Sequence, residues 1–119
     1  MLNLDTHILI HALAEGLTPR ERGLLLRNQW SISAVVLWEL AKLSQLGRIE
    51  LDLDSPEFAQ TLSRVHVWPI DLAVCRRIRS LDISGDPAEE IIAATSVVQN
   101  VPLLTRDRAI RKSKLVPLV

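Results

Sequence analysis

Asp86-Pro87-Ala88-Glu89-Glu90-Ile91-Ile92-Ala93-Ala94-Thr95, followed after Gln99 by Val101-Pro102-Leu103-Leu104-Thr105-Arg106-Asp107, is the stretch on which the fold turns. Asp86 is an N-cap residue. Pro87 stands at the first helical position, where its missing N–H has no partner to lose, and Glu89 lies three residues on, where it can reach back to the cap in a capping box. The helix so started runs to about Gln99. It is largely apolar, so it belongs inside, and Ala93 and Ala94 let it come close to whatever it packs on. Val101 to Leu104 is an apolar run too short for a helix and predicts a buried strand that ends just before Thr105 and Asp107.

The same alternation extends outward. Met1 to Leu4 predicts a strand ending at Asp5, after which Ile8, Leu9, Ala12 and Leu13 recur at helical spacing. Thr18-Pro19 opens a second helix carrying Leu24, Leu25 and Leu26. Gln29 to Ser33, with Trp30 and Ile32 alternating, predicts the second strand. Ala34 to Leu46 is a long helical pattern closed by Gly47 at the place of a left-handed cap. Ser55-Pro56 opens another helix, Val65, Val67 and Pro69 predict a strand, and Leu72 to Leu81 predicts a helix with Arg76, Arg77 and Arg79 on its wet side. A last strand is expected over Lys114 to Leu118. Strands separated by helices imply an α/β fold, a mainly parallel sheet covered by helices on both faces. In such a sheet ligands gather beyond the carboxyl ends of the strands, and Asp5 and Asp107 both follow strands.

At 119 residues the chain is the size of one domain, expected over 1–119, and 48% of it is hydrophobic, which excludes a disordered tail. Lys and Arg number 14, as do Asp and Glu, so no basic excess marks a nucleic-acid binder. A cluster of carboxylates that recruits divalent cations can still bind phosphate through the ions. Cys75 is the only cysteine, which excludes an internal disulfide and a cysteine zinc cluster and suits a reducing compartment; it is expected as a small core residue. Asp5 interrupts any leader-like apolar run and no stretch approaches membrane-spanning length, so a cytoplasmic protein away from the membrane is expected.

Four acids stand out, each with a plainer alternative. Asp5 can cap the helix that follows it. Glu39 has Val35 and Leu43 at helical distance on either side, on an apolar stripe where a carboxylate must be paired, hydrogen-bonded or metal-bound, unless it reaches solvent at the stripe edge. Glu89 can complete the capping box, and Asp107 can be a turn residue oriented by Thr105. Arg106 and Arg108 flank Asp107 and suit phosphate contact, although arginines on a solvated face are commoner. His7 and His11 are one helical turn apart but have no clear third ligand for zinc.

Leu4-Asp5-Thr6, Trp38-Glu39-Leu40, Asp86-Pro87-Ala88-Glu89 with Ile92-Ala93-Ala94-Thr95, and Leu104-Thr105-Arg106-Asp107 together resemble the PIN domain, most closely the VapC-type toxins of toxin–antitoxin pairs. The resemblance spans essentially the whole chain. It implies a three-layer α/β/α fold, Mg²⁺- or Mn²⁺-dependent cleavage of RNA, frequent homodimers and a cognate antitoxin. It places Asp5, Glu39, Glu89 and Asp107 in the family's four acidic positions, as catalytic residues and metal ligands, with Thr6 and Thr105 in support and Arg106 and Arg108 towards RNA. At the third position the family usually has Asp; Glu89 is one methylene longer, and Asp86 could supply part of what it cannot.

Oxygen-only ligands suit hard cations. Such a site is expected to activate a water for in-line attack on a phosphodiester, leaving a 5′-phosphate and a 3′-hydroxyl. Two other readings are a degenerate domain that only binds RNA or protein, and a phosphatase with Asp5 as nucleophile. Exposed apolar residues near Leu9, Leu13, Leu24 and Leu26 are candidates for a dimer face.

Overall fold

Leu2, Asn3 and Leu4, successive residues of the first strand, are 3%, 0% and 0% exposed. Neighbouring side chains of a strand point to opposite faces, so this sheet is covered on both. The structure, a computed structural model, describes residues 1–119. Its elements in chain order are β1 (Leu2–Leu4), α1 (Thr6–Leu13), α2 (Pro19–Arg27), β2 (Trp30–Ser33), α3 (Ala34–Gln45), α4 (Pro56–Leu62), β3 (His66–Trp68), α5 (Leu72–Ile78), α6 (Pro87–Gln99), β4 (Leu103–Leu104) and α7 (Arg108–Arg111).

The sheet is all parallel, in the order β3-β2-β1-β4. From β1 the chain steps outward to β2 and β3, then returns across the sheet to place β4 on the other side of β1. The strand order therefore reverses between β1 and β4, and their carboxyl ends frame a crevice of the kind in which α/β proteins bind ligands. The backbone seals that junction: Asp5 N–H donates to the Leu104 carbonyl at 3.1 Å. One cluster of 18 buried apolar residues fills the space around the sheet.

Helix α6 packs against α3 and α5. Its place on the sheet is fixed by Asn3, whose buried amide donates to Ser96 Oγ at 2.9 Å and to the Ile92 carbonyl at 3.4 Å. Ile92, Ala93 and Ala94 are 0% exposed, as their apolar run implied. The helix ends at Asn100, in the left-handed region at φ 53°. A β-branched residue fits that conformation poorly, so Asn100→Val is expected to cost about 1–2 kcal/mol. A lower urea midpoint at unchanged m-value would show it.

Several expectations need correction. The strand over Lys114 to Leu118 shrinks to a single parallel bridge between Leu118 and Leu103. Ser113 Oγ accepts from the Leu115 and Val116 amides and winds the segment into a turn, and Pro117 has no N–H to give a ladder. The helix after Leu72 stops at Ile78, before Leu81. Cys75 is exposed. Its helix buries the neighbouring Val74, and adjacent helical side chains diverge by about 100°. Leu9 is 2% exposed and belongs to the core, so it cannot face a partner, whereas Leu26 is 81% exposed. No helix is long and apolar enough to cross a membrane.

Candidate active site

Asp5 leaves β1 as the N-cap of α1, with one carboxylate oxygen accepting from Thr6 N–H at 2.8 Å. Its other oxygen accepts from the Thr105 hydroxyl at 2.5 Å, across the β1–β4 junction. The Thr105 hydroxyl oxygen in turn accepts from Asp107 N–H at 3.0 Å, so one threonine ties the two strand-end acids together. Asp107 caps α7 through Ile110 N–H at 2.9 Å. Helix α3 starts directly off β2, capped by Ser33, and brings Glu39 to the same edge, where the Thr6 hydroxyl donates to it. Asp86 caps α6 through Glu89 N–H at 3.0 Å, and Asp86 and Glu89 are the last two acids of the group.

These carboxylates sit in one another's fields. Glu39 is held above the usual carboxylate pKa, first by burial and then by the charges of Asp5 and Asp86, while the Thr6 hydroxyl pulls it down. Glu89 is also raised, by burial and then by Asp86, Asp107 and Asp5. Acids from β1, α3, α6 and the end of β4 thus converge, and no lysine or arginine forms an ion pair with any of them. Clustered carboxylates without a counter-charge are unstable as they stand, and a cation would relieve them.

The sequence from residue 3 to residue 114 matches the PIN domain family. The chain belongs to that family. Among solved structures it resembles a chain of VapBC2 from Rickettsia felis bound to a DNA fragment from its promoter, with a TM-score of 0.73 at 18% identity over 100% of this chain and 98% of that one. A chain of a toxin–antitoxin complex from Klebsiella pneumoniae gives 0.71 at 18% identity over 94% and 92%, and one of DNA-bound VapBC from Salmonella typhimurium gives 0.67 at 20% over 100% and 98%. At these identities the likeness is one of fold. Comparison with curated protein sequences gives no match.

In this PIN domain the capping roles are real, yet they do not use up the acids. Asp86 and Asp107 each engage one oxygen in a cap, and Glu39 engages one with Thr6. The capping box expected of Glu89 is half made. Asp86 accepts from the Glu89 amide, but the Asp86 amide pulls only weakly on the Glu89 carboxylate, without a hydrogen bond of normal geometry. That carboxylate folds back over Gly85, where a β-carbon would collide with its Oε2. The all-oxygen donor set fits a hard divalent cation. No group of three or more of these side chains is drawn together tightly enough to encage one. Mg²⁺ does not require it, since it keeps several waters and is commonly held by only one or two carboxylates.

Arg106, expected towards RNA, is paired within the chain. Its guanidinium donates to both carboxylate oxygens of Glu21, at 2.6 and 2.8 Å, and to the Gly16 carbonyl at 2.7 Å. Arg108 is exposed beside Asp107 at the start of α7. The sequence reading passed over Glu21, which closes a full capping box on Thr18 and is drawn down to about 2, chiefly by the Arg106 hydrogen bonds. The signal was present as Thr18-x-x-Glu21, but it announces only a helix start. His7, offered by the sequence only as half of an incomplete zinc pair with His11, is engaged at this edge instead. Its Nε2 accepts from Arg106 N–H at 3.0 Å and its Nδ1 lies 3.7 Å from Asp5 Oδ2.

Proposed function

We propose that this PIN domain is a Mg²⁺- or Mn²⁺-dependent endoribonuclease, with residues 1–119 forming one catalytic domain that acts as the toxin of a toxin–antitoxin pair in the cytoplasm. The observation that carries the reading is the convergence of Asp5, Glu39, Asp86, Glu89 and Asp107, with Glu39 and Glu89 driven above their usual pKa by burial and by their neighbours. Asp5, Glu39, Glu89 and Asp107 would hold the cation, one or two of them directly and the others through its waters, with Asp86 beside them. When bound, such an ion stabilises charge on a phosphodiester and lowers the pKa of a nearby water.

The chain's own residues supply the rest. Thr6 fixes the Glu39 carboxylate through one oxygen, leaving the second for the cation or a water on it. Thr105 fixes Asp5 relative to Asp107. Arg108, exposed at the start of α7, would meet an RNA phosphate. A phosphatase with Asp5 as nucleophile is disfavoured, because the sequence matches the PIN domain family over residues 3–114. A cognate antitoxin is supported by similar folds found in toxin–antitoxin and VapBC complexes. A homodimer would use the exposed Leu26 with the half-buried Leu13 and Leu24.

The test is incubation of the purified protein with total RNA and Mn²⁺ or Mg²⁺, with mapping of the new ends. Fragments with 5′-phosphates, absent with EDTA and restored by excess metal, are expected. RNA binding with no metal-dependent product on any RNA would favour the degenerate, binding-only domain.

A further inference from the structure

The one arginine–carboxylate salt bridge in the chain lies beside the acidic pocket and joins elements 85 residues apart. Glu21 of α2 is buried, with its side chain 7% exposed, and Arg106 follows Thr105 at the end of β4. Two of the guanidinium's three nitrogens are directed: Nε and Nη2 both to Glu21, and Nη2 also to the Gly16 carbonyl. The backbone of the same residue is held from the other side, its N–H donating to His7 Nε2. That acceptor role puts the ring proton of neutral His7 on Nδ1, the nitrogen facing Asp5 Oδ2. Arg106 is thus gripped by side chain and backbone between the two residues that matter most at this edge, Thr105 on Asp5 and Asp107 at the head of α7.

We infer that Glu21, Arg106 and His7 form a brace that sets the Asp5–Thr105–Asp107 side of the site, with Arg106 as a positioning residue for catalysis and not a contact to RNA. The functional half of this inference rests on the nuclease reading; the structural half does not. Guanidinium forks are rigid and planar, and two-point pairing with a buried carboxylate fixes direction as well as distance.

The test compares Glu21→Gln, Arg106→Ala, their double variant, His7→Ala and His7→Gln with the natural chain. It uses Mn²⁺-dependent RNA cleavage and hydrogen exchange of the amides from Arg106 to Ile110. Glu21→Gln and Arg106→Ala should each lower kcat by about 10- to 100-fold, the usual scale for groups supporting metal ligands, with KM little changed. Both should speed exchange at those amides, and the double variant should be no worse than either single one. His7→Ala should lose activity, and His7→Gln should recover most of it, because its amide oxygen can accept from Arg106 N–H. If Arg106 instead touched phosphate, Arg106→Ala would raise KM and flatten its salt dependence by about 0.7 in logarithmic slope, and Glu21→Gln would do no harm. That pattern overturns the brace, as does a fall in Tm alone with kcat and exchange unchanged. Should the natural chain cleave no RNA, the nuclease reading fails, and exchange still decides: faster exchange in Glu21→Gln supports the brace, unchanged exchange ends it.

Discussion

Asp5→Asn is expected to lower Mn²⁺-dependent RNA cleavage by at least about 10²- to 10³-fold while leaving the protein folded. The loss follows from charge. A cation that stabilises a transition state by several kcal/mol is held by the negative charge of its ligands, and each 1.4 kcal/mol forfeited is about a factor of ten in rate. The fold survives because Asn caps a helix as well as Asp does, so the bond from Thr6 N–H to residue 5 remains available. Removing a buried charge from a crowded acidic pocket also relieves repulsion, since Asp5 is among the groups that raise both Glu39 and Glu89. Far-ultraviolet circular dichroism should match the natural chain and Tm should not fall, whereas initial rates at saturating Mn²⁺ should drop. Full cleavage by this variant would remove Asp5 from the mechanism and the metal site with it.

Helix starts were legible because their chemistry is local. Pro19, Pro56 and Pro87 each stand at the first helical position of α2, α4 and α6, behind Thr18, Ser55 and Asp86. The burial of α6 was legible from Ile92, Ala93 and Ala94, and the meeting of Asp5 with Thr105 and Asp107 from strand ends in a parallel sheet. What could not be read was pairing at long range. Glu21 completes a capping box and Arg106 flanks an acid, so each has a sufficient local explanation, and nothing in the sequence joins them. Helix α7 was missed because four residues show no period. Cys75 was misplaced because one small apolar residue in a short helix says nothing about which way it turns. Glu89 shows the limit from the other side. Its spacing marked a capping box, but whether the return bond forms depends on how the side chain lies over Gly85.

Stability and activity should respond in opposite directions at Glu39. In the folded chain its carboxyl titrates above the ordinary 4.5, burial being the largest cause, whereas in the unfolded chain it is free of both burial and neighbours. Between those two values the folded state binds more protons than the unfolded state, so stability falls as pH rises through the window. The cost is absent below pH 4.5 and complete once pH exceeds the raised value. Glu39→Gln, which keeps an acceptor for the Thr6 hydroxyl, should therefore raise Tm by a few degrees at neutral pH without metal, and the gain should close as pH is brought below 4.5. Glu89→Gln should behave alike. Mn²⁺ reverses the ranking: at 100 times its Kd a ligand that binds only the folded state adds about 2.7 kcal/mol, which the natural chain gains and the Gln variants largely forgo. Cleavage at limiting Mn²⁺ should fall as acid protonates Glu39 and Glu89 and return when more Mn²⁺ is supplied, because proton and cation compete for the same oxygens. Unchanged Tm in Glu39→Gln across this pH range would mean that Glu39 is not confined among its neighbours, and a site without that confinement has no reason to draw in a cation.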